Sequence, residues 1–527
     1  MSGRVVVIGA GMGGLASAAR LAARGYDVTV LEKEASVGGK ARQVEVDGRM
    51  VEAGPTVLTM RDVFDDIFRA CGTRLEDHVR MRRAEIIARH AWSEDERLDL
   101  FADPARSEDA IGDFAGADAV RGYRAFRHET RRIHDILNEP MMRGDNVSSP
   151  LPLLWRIGLW RFDAFAAMRP HQSMWKALDR FFPDPRLRQL FARYATYCGS
   201  SPFAAPATLM LIAHVEATGV WLVEGGINAL AQALRQVGEN RGMVCRTNAE
   251  VVRVTTDARG RVDGVELADG DHIAADAVIC NADPGAIAQG RLGDDVRRAV
   301  RPLPENKRSL SAMVWFAHGD AGGFDLSHHN VFFSPDYPRE FDEIAAGDMP
   351  SEPTVYVCAQ DRGGSARCAV RHSDGAAPER ERLQIIVNAP ANGDTRSYPP
   401  QEIERCTQRM RSTLERCGLT LEPDMPQQVA SPAHWEQLFP STGGALYGRA
   451  SHGSGASFLR QGPRTGVPGL YCAGGATHPS AGVPMAALSG LLAARKVAVD
   501  LASTSASRPV AIRGGMSTRS AKTGATG

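Results

Sequence analysis

Four glycines and a glutamate near the start of the chain have the types and spacing needed to hold a dinucleotide. Gly9-Ala10-Gly11-Met12-Gly13-Gly14 is a Gly-x-Gly-x-x-Gly string. In it Gly9 permits a tight turn, Gly11 lets the backbone approach a pyrophosphate, and Gly14 lets the next helix pack close to its strand; Gly13 lies in the same loop. Glu32 follows at a spacing suited to accepting hydrogen bonds from an adenosine ribose. Such strings also occur as plain surface turns, so the flanking elements decide the meaning of this one. Arg4 to Ile8 is a β-branched run of the kind that forms a strand buried on both faces. Leu15 to Arg24 reads as an alanine-rich helix closed by Gly25, its N-terminal amides facing the phosphates. Asp27 to Leu31 is a second strand that delivers Glu32. Strand, loop, helix, strand and acid fall in register. This predicts a Rossmann-type site and leaves NAD and FAD both open.

Further glycine-rich segments recur far along the chain. Glu224-Gly225-Gly226-Ile227-Asn228-Ala229-Leu230 precedes an apolar-periodic helix and then the apolar run Val244 to Val254. Near the C-terminus, Gly469-Leu470-Tyr471-Cys472-Ala473-Gly474-Gly475 runs from a strand into glycines, and Val483-Pro484-Met485-Ala486-Ala487 opens a helix. Proline costs little in a helix's first turn, where its amide is unpaired anyway. A helix N-terminus aimed at a flavin's pyrimidine edge would favour the negative charge of the reduced ring.

Val37-Gly38-Gly39-Lys40-Ala41-Arg42 and Glu52-Ala53-Gly54-Pro55-Thr56 resemble the second glycine pair and the acid-Ala-Gly segment of amine-oxidase-like and carotenoid-desaturase flavoproteins. That resemblance selects FAD. It implies that Lys40 or Arg42 lies near the FAD phosphates, although a basic residue on a solvated loop would look the same. It also matches Val251 to the position whose backbone meets the adenine. The segment Gly474-Gly475-Ala476-Thr477-His478-Pro479 resembles the bacterial phytoene-desaturase signature, which implies that Gly475, Val483, Pro484 and Met485 contact the cofactor. Ser480 stands where that family usually has glycine, a fit only if the backbone there keeps φ below zero. His478 can be read as a loop anchor or as a base, the anchor being the commoner role.

The resemblance runs from Arg4 to about Leu501. It implies an α/β fold with a discontinuous Rossmann-type FAD-binding domain (amine-oxidase/GDI-like) formed by 1–75, 224–299 and 446–505. A mixed α/β substrate domain is expected over 76–223 and 300–445, and residues 506–527 read as a disordered tail. Arg193-Tyr194-Ala195-Thr196-Tyr197-Cys198-Gly199 and the stretch Leu209 to Val223 are similar to the subfamily that introduces the 3,4 double bond into 1-hydroxy or 1-methoxy acyclic carotenoids. Gly444-Ala445-Leu446-Tyr447-Gly448 is similar to a loop kept near the flavin. Tyr194, Tyr197 and Tyr447 are candidates for lining a polyene tunnel; a buried tyrosine with a satisfied hydroxyl is the plainer alternative.

The two insertions show no carboxylate pair, metal-ligand cluster or nucleophile-base motif. A flavin that accepts hydride from an allylic C–H needs none of these, because the cofactor carries most of that chemistry. The implied substrate is an acyclic carotenoid drawn from a membrane surface, with oxygen or a quinone as final electron acceptor. A phytoene desaturase, a carotenoid isomerase, an amine oxidase and a cofactor-free lipid-binding escort are the competing readings. Bulk features agree with the first reading. The 62 basic and 62 acidic residues cancel, so no net positive field steers the chain to nucleic acid. Nine cysteines without a CxxC pair suggest neither a disulfide framework nor a zinc site and fit a reducing cytosol. No stretch reaches the roughly 18 apolar residues of a membrane span, and the opening residues lack a signal peptide's apolar core. Tryptophans and arginines interleave with aliphatic residues over Pro150 to Phe162. An interfacial helix would show that pattern, as would a helix packed inside the substrate domain. The tail carries Arg508, Arg513, Arg519 and Lys522 and no acid, as an inert end or a weak electrostatic tether would.

Overall fold

The run Arg4–Ile8 is the central strand of a five-stranded parallel sheet. The order across the sheet is Leu470–Cys472, Ala277–Cys280, Arg4–Ile8, Asp27–Leu31 and Val244–Arg246. Strands in such a sheet are buried on both faces, which accounts for their continuous apolar composition. Val5 and Val7 point to a layer built from the helices Met12–Ala22, Gly226–Glu239 and Val483–Ala506. Val6 and Ile8 point the other way, onto an antiparallel sheet of Val251–Thr256, Val262–Leu267 and His272–Ala274. The computed structural model describes residues 3–145, 150–158, 169, 171–362, 380–453 and 455–506. Residues 159–162 of the tryptophan–arginine stretch, Cys368 and the tail beyond 506 lie outside them.

Two local expectations shift. The first helix spans Met12–Ala22, with Gly11 at its N-cap. The apolar run 244–254 breaks into two strands at Asn248, whose φ is +52°, a backbone region asparagine tolerates. The amides of Asn248 and Ala249 bond the carbonyls of Glu34 (3.1 Å) and Glu32 (2.8 Å). The chain thereby wraps the end of the second strand and passes from one sheet to the next.

A seven-stranded mixed sheet is built from the remaining segments, in the order Gln427–Ala430, Ser311–Gly319, Glu381–Ala389, Val355–Ala359, His329–Phe332, Ile86–Ala91 and Arg97–Phe101. Side chains alternate between its faces. One face, with Met313, Trp315, Val357, Leu383 and Ile385, is dry and packs on helix Pro400–Arg416. The pairings His329–Cys358 and Cys358–Gln384, together with Tyr356 two residues before Cys358, place a polar stripe on the opposite face. Beyond that face lies the hairpin Gln43–Val46/Arg49–Glu52, which packs on Ala312, Val314 and Phe316. A third cluster, rich in aromatics in mutual contact such as Phe126, Phe182 and Phe191, joins buried residues from Ala84 to Tyr123 and from Phe126 to Leu222 that the structure describes to Val331, Phe333 and Tyr337. Among the described residues no helix is long and apolar enough to cross a membrane.

The first and last helices touch backbone to backbone. A Cβ on Gly490 would lie 2.1 Å from the carbonyl oxygen of Gly13, with nowhere for that oxygen to go. Gly490→Val is therefore expected to force the helices apart and destabilise the protein by ~1–3 kcal/mol, read as a lowered midpoint in a urea titration. An unchanged midpoint would mean that the two helices do not meet there.

Candidate functional site

The glycine loop follows directly from the first strand. Gly9 turns the chain at φ +91° and its amide bonds Leu31 O at 2.8 Å. At Gly14 a Cβ would meet Gly9 O at 2.1 Å, so only glycine fits there. The loop closes around Asn281, at the end of strand Ala277–Cys280. Cβ atoms added at Gly11 and Gly13 would lie 2.7 Å from its Nδ2 and Oδ1, and one at Gly474 would lie 2.8 Å from Oδ1. Asn281 Oδ1 is buried without a hydrogen-bond partner among the described residues. Glu32 is buried and accepts from the amides of Ala10 (2.7 Å) and Glu34 (3.0 Å). Each carboxylate oxygen is thus held by one amide and keeps a lone pair free. Val251 begins its strand two residues after Ala249, whose amide bonds Glu32 O.

The second glycine pair lies against the first, with Gly11 and Gly38 joined by a β-bridge. Lys40 turns inward: its Nζ donates to Leu446 O at 2.6 Å, and burial lowers its pKa against the opposing charge of Asp283. Arg42 faces Glu34 at 3.6 Å, so the structure gives the two basic residues different surroundings. Three side chains hold these loops, of which the sequence pointed only to Glu52, as the acid of its motif. Asn228 Nδ2 donates to Ala41 O (2.7 Å) and Val37 O (3.2 Å). Glu52 receives the amide of Asn228 at 3.3 Å and Gln43 Nε2 at 2.5 Å, and burial raises its pKa. Arg460, also buried, donates to Tyr447 O (3.0 Å), Gly475 O (3.1 Å) and Arg449 O (2.6 Å). It pins the loop at Gly444–Gly448 to the C-terminal glycine turn. Pairs so distant in sequence leave no local signal.

In that turn Gly474 and Gly482 have φ of +107° and +111°, whereas Ser480 is not among the positive-φ residues, so serine is free to stand there. Its Oγ lies 3.7 Å from Cys198 Sγ. Val483, Pro484 and Met485 form the first turn of the C-terminal helix. His478 is buried, with Nε2 3.1 Å from Gly144 O, the geometry of an anchor.

The three tyrosines fall into two groups. Tyr447 packs on Gly199, and burial pushes its hydroxyl pKa up to about 12. Tyr194 and Tyr197 both donate to the buried carboxylate of Glu216, Tyr197 at 2.6 Å, and Tyr197 accepts from Arg193 Nη1 at 2.8 Å. Beside them runs the polar stripe. Thr56 Oγ1 and Tyr356 Oη are 2.7 Å apart, Tyr356 Oη is 2.7 Å from His329 Nδ1, and Gln384 Nε2 donates to Gly54 O at 2.9 Å. Ligand-type atoms of His328, His329 and Cys358 lie within 4.8 Å of one another, a grouping no sequence spacing discloses. Burial pushes the Cys358 thiol up to about 12 and His328 down to about 4, so at neutral pH both are uncharged.

A glycine cradle, an unpartnered acceptor at its centre and a carboxylate held at the strand end fit a dinucleotide. Residues 12–498 match the family of flavin containing amine oxidoreductases, and the chain belongs to that family. Along 99% of its length it is 48% identical to a hydroxyneurosporene desaturase of Rubrivivax gelatinosus, covering 98% of that protein. It is 43% identical to a hydroxyneurosporene desaturase of Cereibacter sphaeroides, over 95% of this chain and 99% of that one. Among solved structures, an oxidoreductase from Methanosarcina mazei shares the fold with a TM-score of 0.57 at 17% identity, over 93% of this chain and 99% of that one. The expected α/β flavoprotein fold and the oxidoreductase class are thus borne out. A flavin held in a dinucleotide cradle is FAD, as expected from the sequence.

Gly11→Val is expected to yield protein without flavin absorbance. The sequence places that side chain in the pyrophosphate path; the structure shows that the first atom it meets is Asn281 Nδ2. A variant that purifies with a full flavin spectrum would remove Gly11 and Asn281 from the cofactor site.

Proposed function

We propose that the chain is an FAD-dependent desaturase that removes two hydrogens across the 3,4 bond of a 1-hydroxy or 1-methoxy acyclic carotenoid such as 1-hydroxyneurosporene. The observation that carries this reading is the identity to a hydroxyneurosporene desaturase along almost the whole chain. The bound FAD supplies a hydride acceptor. The protein's task is to hold FAD and an oily chain in contact. On this reading 1–75, 224–299 and 446–505 hold the cofactor. Gly9, Gly11, Gly13, Gly14 and Lys40 or Arg42 serve the phosphates, Glu32 the ribose and Val251 the adenine. Gly475, Val483, Pro484 and Met485 bring the C-terminal helix to the ring. Residues 76–223 and 300–445 hold the polyene, with Tyr194, Tyr197 and Tyr447 in its wall. Each buried methylene stabilises the complex by about 0.8 kcal/mol before ordering costs. Oxygen or a quinone takes the electrons.

Delivery from a membrane surface belongs to the same proposal. In helix Pro150–Ile157, Leu153 and Ile157 are buried while Trp155 is 75% exposed. Arg156 Nη1 donates to Pro140 O (3.1 Å) and Asp145 O (2.6 Å), which fixes the helix with its tryptophan outward. Such an amphipathic residue suits a lipid interface. Among the described residues eight cysteines are free, in keeping with a cytoplasmic location at that surface.

Mixing FAD-loaded protein anaerobically with 1-hydroxyneurosporene in lipid vesicles is expected to bleach the flavin while the polyene absorbance shifts to the red. An altered isomer profile with the flavin still oxidised would replace desaturation by isomerisation, and no change would exclude this substrate. Trp155→Glu is expected to leave flavin content intact and to lower co-sedimentation with vesicles several-fold. Undiminished co-sedimentation would move the membrane contact elsewhere.

A further inference from the structure

Arg193 is 5% exposed and its guanidinium lies over the rings of Tyr194 and Tyr197, yet only Nη1 has a hydrogen-bond partner, Tyr197; Nε and Nη2 have none among the described residues. Two imidazoles near it are in the same condition. His90 and His329 are fully or almost fully buried, and the Nε2 of each is unpartnered among the described residues. They lie on one face of the seven-stranded sheet: His90 pairs in register with Val331, two residues along the strand from His329. The charge of Arg193 helps burial to lower both pKa values. Burying unsatisfied groups is costly, and more so for a charged one. Several in one place therefore point to a polar partner brought by a ligand.

The chemistry of the set narrows that partner. Burial favours neutral imidazoles, and the Arg193 charge is answered through Tyr197 by Glu216, so the site is not built for a carboxylate or phosphate. His90 Nδ1 can only donate to Leu98 O, at 3.1 Å, which leaves its Nε2 an acceptor. A guanidinium donor beside an imidazole acceptor suits a hydroxyl, which both accepts and donates. The set is also tied to segments expected at the cofactor. Tyr356 joins His329 to Thr56 in the segment after Glu52, and Cys198, at the end of the turn that carries Arg193, meets Ser480.

We propose that Arg193, with His90 and His329, forms the subsite that takes the terminal hydroxyl of the otherwise apolar substrate and so sets which end of the polyene lies at the flavin. This rests on the desaturase reading above. The test uses the FAD-loaded full chain in lipid vesicles. It compares 1-hydroxyneurosporene with the same polyene lacking the hydroxyl, by kcat/KM and by equilibrium binding followed through tryptophan quenching. The wild-type protein is expected to favour the hydroxylated chain. Arg193→Met is expected to cut that preference by ~10- to 100-fold, the weight of a hydrogen bond to a charged donor. His329→Leu, which leaves the bonds among Arg193, Tyr197 and Glu216 in place, is expected to cut it in the same direction. It decides alone if Arg193→Met fails to retain flavin. A merely structural role would weaken both polyenes alike and leave the preference unchanged, which overturns the assignment while the desaturase reading stands. A wild-type protein that turns over neither polyene overturns that reading and the subsite with it.

Discussion

The crowding of backbone around Asn281 constrains everything else in this protein. Gly11 and Gly13 come from the start of the chain, Asn281 from its middle and Gly474 from its end, and side chains added at those glycines would fall within 3 Å of the asparagine. A fourth contact, between Gly13 and Gly490, joins the first helix to the last. Close approach of this kind has no slack, because packed interiors cannot absorb even a methyl group without shifting. It explains why one glycine cradle is assembled from residues spread over almost the whole sequence. It also explains why the intervening segments are free to build a separate sheet.

That second sheet has two unlike faces, and period-two alternation creates both from the same strands. Trp315, Val357 and Ile385 go to helix Pro400–Arg416, while Tyr356, Cys358 and Gln384 turn toward Gly54 and Thr56. Buried polar groups on one face of a β-sheet are costly unless they are paired. Here Tyr356 and Gln384 find partners in the segment that follows Glu52, which ties the sheet to the glycine loops. The dry face packs on its helix, and the polar face joins the sheet to the rest of the chain.

The parts of this arrangement that were legible in the sequence are those set by local pattern. Arg4–Ile8 and Asp27–Leu31 form as read because β-branched runs between glycine turns admit few alternatives. The first helix begins at Met12 rather than Leu15 since Gly13 and Gly14 are tolerated in a first turn that faces the loop. Arg460 was not legible as a site residue, and although the segments around Asn228 and Asn281 resembled pieces of a flavoprotein's cofactor domain, neither asparagine was legible as the residue in them that holds the loops. Asn228 acts on Ala41, 187 residues away, and an asparagine or arginine with a distant partner looks like any other. The polar stripe was hidden for the same reason: His90, His329 and Gln384 become neighbours only through strand register. Ser480 was the reverse case, a departure visible in the sequence whose harmlessness depends on one backbone angle.

The order of strands in the parallel sheet has a consequence for synthesis. Leu470–Cys472 completes the sheet beside Ala277–Cys280, and the helix that seals the glycine loop begins only at Val483. Nearly the entire chain must therefore leave the ribosome before the N-terminal cradle can close. Until then the edge of Ala277–Cys280 is an unpaired strand of the kind that invites aggregation. Long-range closure of this sort is slow, and a ligand that binds only the finished cradle would draw the last step to completion. Supply of flavin would then govern how much of the newly made protein survives, as well as how much of it is active.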